Sequence, residues 1–220
     1  MSITSNYLSI RSSVPDDVTI VIAAKTRTKE EIIEVIGAGA TDIGYNSVQE
    51  AEQMYHQLGD LASRLRWHMI GHLQKNKINK ALSIFDVIQT VDSYSLAEAI
   101  NKRTDRVMPI YIQVNISGEE AKSGIPPGNL KELITKMSGL DKIRIEGIMG
   151  MEPYSDDAED ARLYFGRMDG LFMGAKTISQ ENLDIRVLSM GMSSTYNVAV
   201  QEGSNMIRLG TIIFGERDYN

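Results

Sequence analysis

The chain has 220 residues, no cysteine, three histidines and a formal net charge of −6. These numbers exclude a disulfide scaffold, a cysteine-ligated metal or iron–sulfur site and a thiol nucleophile, and they argue against a histidine-rich metal site and broad nucleic-acid binding. With 42% hydrophobic and 24% charged residues, the chain can bury a sizeable core without staples. Met1 to Val14 is polar and mixed, without the basic start and apolar core of a signal peptide, and no apolar run approaches the roughly 18 residues of a membrane helix. The expectation is a cytoplasmic chain with no membrane, nucleic-acid or metal partner.

Val18–Ala24 reads as the first strand and ends at Lys25. Thr28 then caps a helix, with Glu31 three residues on and Ile32, Ile33 and Ile36 as its apolar face; Gly37 and Gly39 stop it. A short strand at Asp42–Gly44 precedes a helix from about Ser47 to Leu65. Trp67–Ile70 is the third strand. Gly71 follows, then a polar helix with Ile78, Ala81 and Leu82 spaced for one face. Val87–Val91 is the fourth strand, followed by a helix from about Ser93 to Arg106. Pro109 opens the fifth, Ile110–Asn115, with a helix from about Gly128 to Leu140 after it. Arg144–Met149 is the sixth, followed by a long helix from about Ala158 to Ser179. Ile185–Met190 is the seventh, and Ser193 and Ser194 open a helix to about Gln201. Met206–Leu209 leads to an eighth strand near Gly210 to Phe214.

Eight strands alternating with helices predict parallel βαβ units. In a chain of this length they fit a single-domain (β/α)8 TIM barrel over residues 1–220 better than an open doubly wound sheet. No linker, low-complexity segment or long repeat divides the chain. Such barrels carry their sites at the C-terminal ends of the strands. There the sequence places Lys25, Asn46, His72, Asn115, the Ser193–Ser194 pair, and Arg208 with Gly210 and Thr211.

Lys25 follows a nearly all-apolar strand, so a partly desolvated amine is expected, ready to attack a carbonyl. The competing reading is an ordinary solvated loop lysine. Gly191-Met-Ser-Ser194 and Gly210-Thr211 together suggest one phosphate gripped between strands 7 and 8; singly, each reads as a helix cap or a tight turn. With neither a GxxxxGK[ST] loop nor GxGxxG, nucleotides are disfavoured. His72 is read as a structural hydrogen-bonder before a general base. Glu50, Glu119 and Glu120 read as solvated carboxylates. Met149, Met151, Met190 and Met192 lie near strand ends, where methionine usually fills core gaps but can also pack on a flat ring.

Six stretches in order, from about residue 20 to the C-terminus, carry a family resemblance. They are Val21–Thr26, Ile43–Glu50, Trp67–Lys77, Gln113–Gly124, Leu188–Ser194 and Ile207–Arg217. In them the chain closely resembles the pyridoxal 5′-phosphate (PLP) homeostasis proteins, the YggS or PROSC-like family. The resemblance implies the fold-type III PLP barrel of the alanine racemase N-terminal domain. It implies PLP as cofactor, held as a Schiff base on Lys25, with Arg208 facing the pyridine nitrogen. It also implies Ser193, Ser194, Gly210 and Thr211 at the phosphate, and Asn46 and Met149 beside the ring. An arginine in that place keeps the ring nitrogen unprotonated and makes the cofactor a poor electron sink.

The chain departs from the family in having Tyr45 before Asn46, where Glu is usual, and Thr195 where Asp is frequent. The segment before strand 1 is also shorter. Racemases of this barrel type add a second β-domain and an opposing tyrosine as second acid/base. The chain reaches Asn220 soon after strand 8, so no such domain is expected.

The implied function is a non-catalytic PLP carrier and buffer in vitamin B6 and amino-acid homeostasis. It is expected to be a monomer with no catalytic residues and with PLP-dependent apo-enzymes as recipients. The alternatives are a weak amino-acid racemase or lyase using PLP, and a phosphosugar-type barrel enzyme using Lys25 without cofactor.

Overall fold

The computed structural model describes residues 2–119 and 122–216. Glu120 and Arg217, both named above, lie outside them. Eight strands form a closed parallel barrel: β1 (Thr19–Ala23), β2 (Asp42–Tyr45), β3 (Arg66–Met69), β4 (Val87–Val91), β5 (Met108–Val114), β6 (Ile143–Gly150), β7 (Leu183–Ser189) and β8 (Met206–Leu209). Each pairs with the next, and β8 closes onto β1 from Thr19↔Met206 to Ile22↔Leu209. That closure decides for the barrel over the open sheet.

Strand alternation sorts the side chains into two cores. Val21, Val87, Tyr111, Met149 and Met206 pack together, with Met151 and Val187 against them, as the apolar part of the barrel interior. Residues of the opposite parity, such as Ile20, Ile22, Ile43, Ile110, Ile112 and Ile148, face the helices in a second, larger cluster. Each such fully buried aliphatic side chain contributes about 1.5–3 kcal/mol.

The helices are α1 (Ile3–Ser13), α2 (Lys29–Gly37), α3 (Val48–Leu58), α4 (Ile78–Leu82), α5 (Tyr94–Asn101), α6 (Leu130–Lys136), α7 (Arg162–Lys176), α8 (Tyr196–Gln201) and α9 (Thr211–Phe214). Thr28 and Glu31 form the expected capping box on α2. Its buried face is Ile32, Val35 and Ile36; Ile33, assigned to that face above, points to solvent. Several helices are shorter than their apolar spacing suggested, because their ends tighten into 3-10 turns, as at Gly59–Arg64 and Ala158–Ala161.

Two larger features differ from the sequence reading. Gly210–Phe214 is not the eighth strand: Met206–Leu209 is, and Thr211–Phe214 is a helical turn with Phe214 N–H donating to the Gly210 carbonyl. The β-branched run Thr-Ile-Ile loses because β8 has already closed on β1. Ile213 is instead buried in the outer core, and its carbonyl accepts from Asn6 Nδ2 of α1 at 2.9 Å. The second miss is α1 itself, read above only as a non-leader segment. Ser2 caps it, and Tyr7 and Ile10 are buried, with Val14 just beyond the helix end.

Candidate functional site

The strand ends at the C-terminal side of the barrel carry the residues singled out in the sequence. Lys25 sits two residues past β1, and Asn46 one residue past β2. Register brings them together with the tail: Ala23 pairs with Gly44, and Ile22 with Leu209, just before Gly210 and Thr211. A Cβ built on Gly210 would come within 3.0 Å of the Ala23 carbonyl oxygen, so the Gly210 turn and the approach to Lys25 are in close contact.

Lys25 is exposed and makes no hydrogen bond or ion pair among the described residues. The expectation of a partly desolvated amine is not met here; the apolar strand ends short of it. Its neighbour Thr26 has φ 65°, the left-handed region that a β-branched residue avoids. Such a conformation costs of order 1–3 kcal/mol and persists only where the surroundings impose it. Lys122, one of the other lysines near the mouth, is engaged by Glu119 at 2.7 Å.

The turn after β7 supplies a second cluster. Ser193 and Ser194 do not open α8; they lie in the turn before it, and the helix starts at Tyr196. The half-buried Ser193 Oγ accepts from the backbone N–H of both Gly210 and Ile212, at 3.3 Å each. Two amides from the β8 end are thus aimed at one oxygen atom contributed by the β7 end. Ser194 and Thr211 are exposed beside them. Gly191 makes the turn possible: its φ is 93°, and a Cβ there would meet the Ala199 methyl at 2.5 Å. This donor set suits a phosphate, whose oxygen can take the point now held by the serine hydroxyl.

Arg208 is buried inside the barrel. Its Nη1 donates to Ser189 Oγ at 2.8 Å and its Nη2 to the Gly150 carbonyl at 2.9 Å. Burial pulls its pKa down to about 10, with the Glu152 charge pushing back, so it stays cationic near neutral pH. From Ser189 a polar chain crosses the barrel. Ser189 Oγ donates to Gln89 Oε1 at 2.7 Å, Gln89 Nε2 donates to His68 Nδ1 at 2.9 Å, and His68 Nε2 meets Asp42 Oδ1 at 2.8 Å. Desolvation holds His68 below its ordinary value, with Asp42 opposing. For Asp42, burial pushes upward, but the hydrogen bonds from His68 and Thr41 outweigh it and hold the carboxyl below its ordinary value.

Other candidates fall into place or out of it. Met149 is fully buried in the barrel interior, one residue from the Gly150 carbonyl that Arg208 uses. Met190 is buried in the outer core, whereas Met151 and Met192 are half-buried at the mouth. Asn115 does not face the mouth as a free group: its amide holds the following loop through the Glu119 and Lys122 carbonyls. His72, read as a structural hydrogen-bonder, has no such bond among the described residues; it is exposed on an open cleft of about 380 Å3 that Asn46 also lines. Gly71 lets the β3 end approach the Asn46 backbone closely, since a Cβ there would lie 2.3 Å from the Asn46 carbonyl oxygen. Tyr45 packs outward, stacked on Trp67 at 5.8 Å. Glu50, expected to be solvated, is half-buried near it with an unpartnered oxygen, and burial pushes the Tyr45 hydroxyl pKa up. His68, Gln89 and Ser189 were missed in the sequence. His68 and Gln89 carried a signal, each a polar residue between apolar strand positions, whereas Ser189 shares its strand with Asp184 and Arg186 and carried none.

The fold and this mouth define an alanine racemase N-terminal-type barrel: the model of that domain matches residues 1–218. The pyridoxal phosphate homeostasis protein of Aquifex aeolicus is 39% identical over 201 residues, 90% of this chain and 86% of its own length. PipY of Synechococcus elongatus PCC7942, solved with PLP bound, is 33% identical and superposes with a TM-score of 0.86 over 97% of this chain and 100% of that one. Alanine racemase from Bacillus anthracis shares the barrel at 18% identity and a TM-score of 0.74, with 56% of its length covered. The chain belongs to the pyridoxal phosphate homeostasis protein family.

Proposed function

We propose that this chain is a PLP carrier and buffer, and that it holds PLP as a Schiff base on Lys25. PLP supplies an aldehyde, which condenses with the Lys25 amine and releases water. The observation that carries the reading is the juxtaposition at the mouth of an exposed, unengaged lysine and a turn whose two amides converge on Ser193 Oγ. Ser193, Ser194, Gly210 and Thr211 grip the phosphate. Asn46 and Met149 would lie beside the ring, and Arg208 would meet its nitrogen. The PLP-bound relative supports the choice of ligand.

The reading is non-catalytic. Arg208 meets the ring nitrogen as a cation that keeps its own proton, so the ring draws electrons weakly, and a racemase would need acids and bases on both faces. Lys25 serves one face. Tyr45 is turned away from the other by its stacking on Trp67. The protein works as a one-domain monomer in the cytoplasm and gives PLP to apo-enzymes; no helix among the described residues is long and apolar enough to cross a membrane.

The test is α-proton exchange of L- and D-alanine in deuterated water with the PLP-loaded protein, followed by NMR. The carrier reading expects no inversion. Inversion at about 1–10³ per second, the usual enzyme range, contradicts it.

A further inference from the structure

Five strands each send one polar side chain into the barrel interior, and the five are joined end to end. The order is Arg208, Ser189, Gln89, His68, Asp42, from β8, β7, β4, β3 and β2, with every link between 2.7 and 2.9 Å. His68, Gln89 and Ser189 have no exposed surface. An arginine can only donate, so Ser189 Oγ must accept from it and send its own hydrogen onward. Gln89 Oε1 is the acceptor there, which turns the amide nitrogen toward His68 Nδ1. That nitrogen also lies 3.3 Å from Met206 Sδ, a second partner for the same orientation. His68 Nδ1 is therefore an acceptor, its hydrogen sits on Nε2, and Asp42 receives it. Every hydrogen in the chain points from the arginine toward the carboxylate, and reversing any one link leaves two donors or two acceptors face to face.

The chain has a consequence at its upper end. A guanidinium has five N–H donors. Ser189 and the Gly150 carbonyl take one from each terminal nitrogen and fix the plane of the group from two sides. Gln89 takes the Ser189 hydrogen and so turns the hydroxyl's lone pairs toward Arg208, and Gln89 is itself oriented by His68.

We propose that Ser189, Gln89 and His68 are positioning residues for Arg208, and that they set the edge it presents to the cofactor's ring nitrogen. The second half rests on the PLP reading above; the first does not. A purely structural network would lower stability when broken but would leave the ring nitrogen untouched.

The experiment uses Gln89→Met, which does not touch Arg208, and Ser189→Ala, a smaller change should the first variant fold poorly. In PLP-free protein, the Arg208 Nη–H proton signals of wild type are expected resolved and slowly exchanging, and merged in both variants. In protein loaded with PLP labelled with 15N at the ring, both variants should shift the ring-nitrogen resonance. Their PLP dissociation constants should rise about three- to tenfold, the loss of one hydrogen bond to a charged group after partial compensation. Unmerged Arg208 signals in Gln89→Met and Ser189→Ala overturn the proposal. Merged signals with an unmoved ring resonance also overturn it, because the chain then serves the barrel alone. Failure of PLP to attach to Lys25 is a separate result: it removes the carrier reading and leaves the PLP-free measurement to decide the network.

Discussion

At the N-terminal end of the barrel, Glu146 is buried and gripped by Arg186 at 2.7 Å and by Arg66 at 3.6 Å, and Asp42 receives both His68 and Thr41. At the C-terminal end, Lys25, Asn46, Ser194 and Thr211 are exposed, and their side chains have no hydrogen-bond partner among the described residues. The floor sets its charged groups against one another, whereas these four side chains at the mouth are left unengaged. This matches the division of (β/α)8 barrels into a stability face and a functional face. The Arg208–Asp42 chain is the physical link between the two.

Changes at the two ends should therefore separate binding from stability. The largest binding effect is expected from Ser193 and Ser194 changed together to Ala. Each hydrogen bond to a charged phosphate contributes roughly 1.5–3 kcal/mol, so PLP should weaken by tenfold or more while pyridoxal, which lacks the phosphate, changes little. Titration of both ligands checks this, and equal losses would mean that the serines only shape the turn. Next is the floor: Asp42→Ala leaves the buried His68 N–H without its acceptor and should cost about 1–3 kcal/mol in urea unfolding. PLP capacity at saturation should survive. If the floor variant loses PLP with unchanged stability, the two-ended picture is wrong.

A smaller effect sharpens the same contrast. His68 sits below its ordinary value of 6.5 in the folded chain. Between that value and its lower folded one, the unfolded chain binds more protons, so stability falls as pH drops below about 6.5. Asp42, held below 3.8, adds a second loss only below that pH. Urea midpoints from pH 7 down to 5 should decline, and in His68→Gln the decline should flatten. A midpoint that is level or rising on acidification would show that His68 is not held neutral.

Much of this fold was legible because its strands are short β-branched runs bounded by glycine and polar residues; Val87–Val91 coincides with β4 residue for residue. The eighth strand was misplaced because local propensity at Thr211–Phe214 favours a strand, whereas closure on β1 ends the strand at Leu209. The α1 helix was overlooked because its apolar positions are sparse. The mouth residues were visible as polar punctuation after apolar strands, with their roles supplied by the family motifs. The interior chain was not, since Asp42, His68, Gln89 and Ser189 come from different strands, and only the register of the closed barrel shows that they meet. Alternation tells which side a residue faces, not which residue stands opposite.

Attachment of PLP to Lys25 is the feature on which binding at this mouth depends most directly. The protein is loaded with PLP, reduced with borohydride and digested, and the pyridoxyl group is located by mass spectrometry, in wild type and in Lys25→Ala. We expect the label on Lys25 alone, loss of the visible-range band in the variant, and a melting temperature little changed because Lys25 is exposed. A pyridoxyl group on Lys75, Lys77 or Lys122 in the wild type, or a band that survives in Lys25→Ala, would contradict it.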